Sequence, residues 1–466
     1  MSWLPWRRRK STPNTVRLVY DAARTTPSNE HLWPVLSLAS ADSVLSADTR
    51  RQIRARARAE AANNSYVRGI VDSIANYLIG DGPQLAPKAS SRSVNNWLTR
   101  EFRAWARAVR LAHKLRTMRM AQAVDGEAFA IKQHNPSLAT PVKIDFRPIE
   151  ADLVCDPWFA ARPVTPQSAD GIEYDALGNV VAYHIAASHP GDGAPLRWTR
   201  VAASRVLHLY QEQRPDQSRG VSELASSLHI WAMLRQYTMA VVSSAEIAAR
   251  HAIVLKTTAP PDEIEDLTRS DFPRIRLSAD AFTPLPLGYD AVQLKAEQPT
   301  STYAETVKQM LCEACRCMGV PRNLASGDSS DSNFASGRLD HQAFLKKLEV
   351  ERERVARIIL DDLVREWLAE ARLIPGYAPL LLDEAPAYEW AWPGVEHQDP
   401  QKESNAQLTR LTSLTSNLAI EYARTGRDWR AELTQIAQER ELMRELGLVS
   451  PANVAATGED ADVLEE

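Results

Sequence analysis

The chain has 466 residues, 44% of them hydrophobic, which is enough for about two to four folding units with real cores. Its formal charge of -4 and pI of about 6.3 argue against a protein built to grip nucleic acid tightly, because tight nonspecific affinity needs clustered Lys and Arg to neutralise phosphates.

Residues 1–46 mix Pro, Ser, Thr and isolated aromatics without a period, and read as an arm ordered by packing on other surfaces, with Trp3, Trp6 and Trp33 as anchors. An Arg/Ala-rich helix ending at Asn63-Asn64 carries Arg50, Arg51, Arg54, Arg56 and Arg58. Arg50, Arg54 and Arg58 share one face and Arg51 and Arg56 lie off it, so the spacing predicts a solvated face or subunit salt bridges rather than a DNA patch. From Ser65, the residues Tyr66, Val67, Ile70, Val71, Ile74, Tyr77 and Leu78 follow the helical period, and Gly80 stops that helix. Val94, Trp97, Leu98, Phe102, Trp105 and Val109 mark another. Past Asp125-Gly126 the pattern turns to strands, over 127–133, 142–147 and a hairpin from Ile172 through Gly178-Asn179 to Ile185. The fold class is α+β, predominantly helical.

Ser222 opens a long helix that runs to about Arg250, with Leu224, Leu228, Trp231, Leu234, Tyr237, Val241 and Val242 inward. A Pro-rich segment follows from Ala252 to Pro299, with strand-like ends HAIVLK and AVQLK. Tyr303 to Met318 reads as a returning helix that stops at Gly319-Val320-Pro321. Helix, compact insertion and returning helix together make a protruding stalk. Ala325 to Gly337, ASGDSSDSNFASG, is a mobile small-residue loop between two helical segments, and a moving loop in mid-chain usually has a job. Arg338 to Arg372 then runs without Gly or Pro and could form one helix of roughly 35 residues, about 50 Å long. Asp399-Pro400 supplies a cap and a first-turn proline for a helix, a second begins near Asp428, and an acidic tail closes the chain.

Cys155, Cys312, Cys315 and Cys317 form no secreted disulfide framework, and MSWLPWRRRK lacks the apolar run of a signal peptide. No uninterrupted apolar segment is long enough to cross a bilayer, so no membrane partner is expected. Cys312, Cys315 and Cys317 form C-x2-C-x-C, but on a helix all three cannot point at one ion, and no further pair completes four ligands. They read as buried wall residues, with no metal and no cofactor. Asp340-His341 and the scattered carboxylates suggest no catalytic group. No G-x-S-x-G elbow, H-E-x-x-H helix or Gly-Lys dipeptide accompanies them, so an enzyme is not expected and the ordinary Walker motor is absent.

The segment Gly319 to Arg338, GVPRNLASGDSSDSNFASGR, resembles the motif that lies between two helices in lambda-type phage portal proteins. Tyr20 to Ala23, Gly69 to Asp72, Gly80-Asp81-Gly82, Gly171 to Asp175, Val181 to Ile185, Val206 to Tyr210 and Arg214 to Ser222 resemble the same family in order, over roughly residues 16–450. Where the family often has Tyr-Ser-Ser, this chain has Phe334-Ala335-Ser336, and the Trp-rich segment near Trp390 and Trp392 is short.

The resemblance implies a portal-type protomer in a closed ring, dodecameric in the family's usual form, at one capsid vertex. Double-stranded DNA would be packaged and ejected through it. Its regions would be an N-terminal arm (1–46), wing (47–221), first stem helix (222–251), clip (252–299), second stem helix (300–320), tunnel loop (321–337), long helix and wing return (338–398), crown helices (399–450) and acidic tail (451–466). The implied partners are other copies of itself, the large terminase subunit, the head-tail adaptor, and the major capsid and scaffolding proteins. The implied location is the virion, with host cytoplasm during assembly. Near-neutral charge suits a conduit that must not arrest DNA. The channel candidates are Asp328, Ser329, Ser330, Asp331, Ser332 and Asn333 on the loop, with Lys308, Arg316, Arg322 and Arg338 nearby, and Gly327 and Gly337 as hinges. The alternatives are a helical DNA-binding scaffold without ring symmetry, or a cytosolic enzyme using the Cys312, Cys315 and Cys317 group.

Overall fold

The computed structural model describes residues 39–157, 168–193, 197–250, 254–257, 289–292, 300–330, 334–381, 386–394, 400–427 and 429–448. The anchors Trp3, Trp6 and Trp33, most of the Pro-rich insertion and the acidic tail lie outside them. At the N-terminal side, a short helix α1 (Ala41–Val44) is tied to the body: Asp42 accepts hydrogen bonds from the Ser218 amide at 3.0 Å and its hydroxyl at 2.6 Å.

The helices α2 (Ala47–Asn63) and α3 (Ser65–Ile79) meet at Asn64, whose Oδ1 caps α3 by accepting from the amides of Tyr66 and Val67. Gly80 ends α3 with φ +52°, as expected of a C-terminal glycine. A short strand β1 (Gln84–Pro87) and the helices α4 (Arg92–Ala108) and α5 (Leu111–Asp125) follow. The second of these helices carries no clear apolar period, because its buried face includes Arg119, Gln122 and Asp125 beside Leu115 and Met118.

The strands β2 (Glu127–His134), β3 (Ile144–Ile149), β4 (Ser168–Ala169), β5 (Ile172–Tyr174), β6 (Val180–Ala186), β7 (Trp198–Ala202) and β8 (Val206–Tyr210) form two antiparallel sheets. One has the order β3-β2-β8 and the other β4-β5-β6-β7. Phe129 of β2 packs with Ile172, Tyr183 and Ile185 of the second sheet in a small apolar cluster. The larger core runs from Ala57 through the α3, α4 and α5 faces to Leu381.

The stalk begins later than the sequence predicts. Residues 223–227 form turns, in which the Ser222 hydroxyl accepts from the Leu224 amide and donates to the Ala123 carbonyl, and helix α6 (Leu228–Arg250) starts only after them. Trp231 and Leu234 are buried as expected, whereas Met233, Met239 and Val242 are each more than half exposed, so Val242 does not point inward. The strand-like ends of the Pro-rich segment pair as β9 (Val254–Thr257) with β10 (Tyr289–Val292) in antiparallel register. Helix α7 (Thr300–Arg316) returns along α6, with Tyr237 stacked on Tyr303 at 5.6 Å between ring centres.

The long helical run is continuous but not uniform. A short helix α8 (Arg322–Ser326) is followed by α9 (Phe334–Val355), a π-helical turn at Ala356–Leu360, and α10 (Asp361–Ala371). Trp367 of α10 joins Trp97, Phe102 and Trp390 in an aromatic cluster, and Trp390 sits on strand β11 (Tyr388–Ala391), which pairs with β1. At the C-terminal side three helices occur where two were expected: α11 (Pro400–Thr412), α12 (Leu418–Arg424) and α13 (Trp429–Glu445). Arg410 grips the Glu421 carboxylate through two bonds of 2.9 Å, which hold Glu421 down to about 2 and fix α12 against α11. Among the described residues no helix is long and apolar enough to cross a membrane.

Candidate functional site

The exposed loop is shorter than its sequence suggests. Ala325 belongs to α8 and is buried, and Phe334 to Gly337 already belong to α9, so Gly337 is helical rather than a hinge. Gly327 is the turning point, with φ +69° at the end of α8 and open space around it. The loop then exposes Gly327, Asp328, Ser329 and Ser330, while Asp331, Ser332 and Asn333 lie outside the described residues. Asp328 closes a tight turn by accepting from the Ser330 amide at 2.9 Å. That bond, the Ser330 side chain and the nearby charges of Arg322 and Lys308 hold the Asp328 carboxyl below its ordinary range.

Lys308, Arg322 and Asp328 are thus brought into one electrostatic neighbourhood. Arg316 is exposed at the end of α7, and Arg338 lies on α9 with its side chain outside the described residues. The base of the loop is fixed by packing: Met318, Val320 and Ala325 are buried, and Lys347 of α9 donates to the Met318 carbonyl.

The cysteines do not form a buried wall as a group. Cys315 is buried, and burial pushes its thiol up to about 12, whereas Cys312 on α7 and Cys317 in the turn after it are exposed. Among the described residues, the metal-like grouping is instead Glu150, Asp152 and His189. Arg58 reaches into it, 2.7 Å from Asp152 and 3.8 Å from Glu150, so a guanidinium supplies the positive charge there.

The arginine helix is the main correction. Arg50 and Arg54 are neither solvated nor free for a neighbouring subunit, since both are buried in ion pairs within the chain. Their partners come from distant segments: Asp170 at 2.5 Å from Arg50, and Asp152 at 2.5 Å and Glu127 at 2.9 Å from Arg54. Arg58 pairs with Asp125 through bonds of 2.7 and 2.8 Å.

At the centre lies Arg219, fully buried. It donates to Glu127 Oε1 at 2.6 Å and Oε2 at 2.9 Å, and to the carbonyls of Ala151, Val154 and Asp170. Glu127 also takes the Gly220 amide at 3.0 Å and faces His208 Nε2 at 3.2 Å. Burial alone would raise the Glu127 carboxyl, but the Arg219 charge and the bonds from His208 and Arg219 outweigh it and hold the group well below the usual carboxylate range. Burial lowers His208 despite that carboxylate, and its ring is stacked between Phe129 at 4.1 Å and Tyr210 at 4.3 Å. Sequence reading picked out the Arg214 to Ser222 segment only by resemblance. Its physical role is to pin both sheets and α2 together around one carboxylate.

A second buried ion cluster ties this body to the stalk and the loop. Arg119 of α5 pairs with Glu223 at 2.9 Å, just before α6, and with Glu351 of α9 at 3.1 Å. Lys347 joins Glu351 at 3.3 Å. One connected set of charges therefore spans the base of the stalk, the body and the helix that carries the loop.

The family model described as phage portal protein, lambda family, matches residues 29–352. The chain belongs to the lambda family of phage portal proteins. This portal-family chain is 25% identical over 296 residues to a probable portal protein of Halomonas phage phiHAP-1, an alignment covering 60% of this chain and 56% of that protein. The chain thus spans little more than half the length of that curated relative. Among solved structures, it is similar to chains in the neck of the native gene transfer agent particle computed with C12 symmetry (15% identity, 79% of this chain and 90% of that one, TM-score 0.42). It is also similar to chains in the virion of the native gene transfer agent (15%, 79% and 91%, 0.44) and the neck of the empty particle computed with C6 symmetry (15%, 80% and 93%, 0.46).

Proposed function

We propose that this protein forms a closed ring, dodecameric as in the family it belongs to, at one vertex of a phage-like head, and that double-stranded DNA passes through its channel during packaging and ejection. The observation that carries the ring is the apolar surface left uncovered on the longest helices: Met233, Met239 and Val242 on α6, Leu339 and Val350 on α9, and Leu442 on α13. One thin protomer cannot bury such residues on itself. Neighbours related by a closing rotation can.

In this reading residues 252–299 are the clip, which docks the large terminase subunit and later the head-tail adaptor. The β9–β10 pair supports a short, stiff edge available for strand addition. The helices of residues 399–450 form the crown, toward the capsid interior, and the capsid and scaffolding proteins surround the ring. The protein is a structural conduit rather than an enzyme, with the virion as its destination and the host cytoplasm as its place of assembly.

The loop about Gly327 lines the channel and touches DNA in transit. Ser329, Ser330, Ser332 and Asn333 offer neutral donors to phosphates, and Asp328 and Asp331 discourage sticking. Lys308, Arg316, Arg322 and Arg338 supply modest rings of attraction once multiplied by symmetry. Two-dimensional class averages of the purified protein test the ring, and a monomer under every salt and pH condition overturns it. Replacing Asp328 and Asp331 by lysine tests the loop. The ring should persist while packaging slows in a salt-dependent way, and unaltered packaging across a salt series refutes the assignment.

A further inference from the structure

A small cavity opens beside the buried arginine cluster, between the start of α2 and the loop before β5. Arg50, Arg51, Arg54 and Arg219 line it together with Asp152 and Asp170. Its volume, as the space open to the centre of a water-sized sphere, is about 10 Å³, room for a single water or a monatomic ion and too little for a carboxylate or phosphate.

The hydrogen bonding around it is incomplete. The terminal nitrogens of Arg50 and Arg54 are engaged, with Leu45 and Asp170 for the first and with Asp152 and Glu127 for the second. Their Nε–H groups, however, are buried and have no partner among the described residues, although the two side chains are each only 5% exposed. A buried charged donor without an acceptor is costly. The three buried guanidiniums, Arg50, Arg54 and Arg219, meet the three carboxylates Asp152, Asp170 and Glu127, and Arg51 adds a positive charge at the mouth, where the exposed Asp48 faces it. Burial, with Arg219 beside it, lowers the Arg50 guanidinium below its ordinary value in spite of Asp170.

We infer that this cavity is a halide site, in which one chloride accepts from the Arg50 and Arg54 Nε–H groups with the Arg51 charge at its mouth. The ion has a structural role: it stabilises the folded protomer by binding the native state alone. The inference is independent of DNA passage and of ring formation.

The melting temperature of the full chain, followed at constant ionic strength while sodium sulfate is replaced by sodium chloride or bromide, tests it. Sulfate is too large for the cavity and strengthens apolar burial in general, so a nonspecific salt effect favours sulfate. Halide binding gives the opposite order, with a rise of about 3–6 °C for each tenfold increase in halide above half-saturation. Chloride-35 NMR reads the site directly, through line broadening that bromide displaces. Arg51→Gln removes one lining charge at the exposed mouth without touching a buried pair, and should raise the half-saturating halide concentration several-fold. A melting temperature equal or higher in sulfate throughout, with no displaceable broadening, means that a water fills the cavity and overturns the inference.

Discussion

Replacing Arg219 by methionine removes the centre of the body's charge cluster while keeping most of the side-chain volume. The variant loses three bonds to Glu127, at 2.6, 2.9 and 3.0 Å, and leaves the carbonyls of Ala151, Val154 and Asp170 without this donor. Breaking one side of a buried ion pair costs about 3–5 kcal/mol, and unpaired buried acceptors add to that without summing simply. A loss of about 5 kcal/mol, at about 2–4 °C per kcal/mol for a body of this size, lowers the melting temperature by about 10–20 °C. Differential scanning fluorimetry and soluble yield report it, with Arg68→Gln as the exposed control, expected within about 0.5 kcal/mol of the parent. The pH dependence separates a charge effect from lost packing. Without Arg219, burial drives the Glu127 carboxyl upward and His208 becomes free to take a proton beside it. Both changes let the variant bind protons in the folded state that the parent excludes, so its deficit should shrink as pH falls from about 8 to about 5. A deficit below about 2 kcal/mol, or one unchanged across that range, refutes the reasoning.

Four further outcomes are expected. In the parent protein, Glu127 and His208 both have folded-state values below their ordinary ones, so each contributes stability that is present at high pH and lost on acidification. Urea midpoints should therefore fall first below about pH 6.5, as the unfolded chain's histidine takes its proton, and more steeply below about pH 4.5. Gly220→Ala should abolish soluble expression, because its Cβ would lie 2.1 Å from the Gly126 carbonyl oxygen, a backbone atom that cannot move aside. Arg352→Met should cost about 2–3 kcal/mol in thermal or urea melts, since Arg352 donates to the carbonyls of Tyr77, Leu78 and Pro393 at 2.9–3.1 Å and covers the Trp392 ring. The double variant Leu442→Ser, Leu446→Ser should leave the protomer's melt within about 0.5 kcal/mol, because both leucines are exposed, while mass photometry shows fewer rings as about 1.5–3 kcal/mol of burial per leucine is lost at each interface.

Local signals determined much of this protein without any tertiary structure. The apolar period of Tyr66 to Leu78 with Gly80 behind it fixed α3 to the residue, and the strand-like ends of the Pro-rich segment do pair, although β10 begins at Tyr289, ahead of AVQLK. These succeed because short-range backbone geometry and one-sided burial write themselves into neighbouring positions. The loop's identity as a turn was legible in Gly327 and Asp328, while its length was not: Ala325 and Phe334 to Gly337 are small or weak helix formers that the adjoining helices nevertheless absorb. Tertiary structure alone decided α5 and the arginine face of α2. Arg119, Gln122 and Asp125 are polar yet buried, so no apolar period marked their helix. Arg50, Arg54 and Arg58 read as solvated because their partners, Glu127, Asp152, Asp170 and Asp125, lie from 67 to 120 residues away. A charge is buried only when the fold brings its counter-charge to meet it. That meeting depends on the approach of two sheets and a helix, which no local pattern encodes.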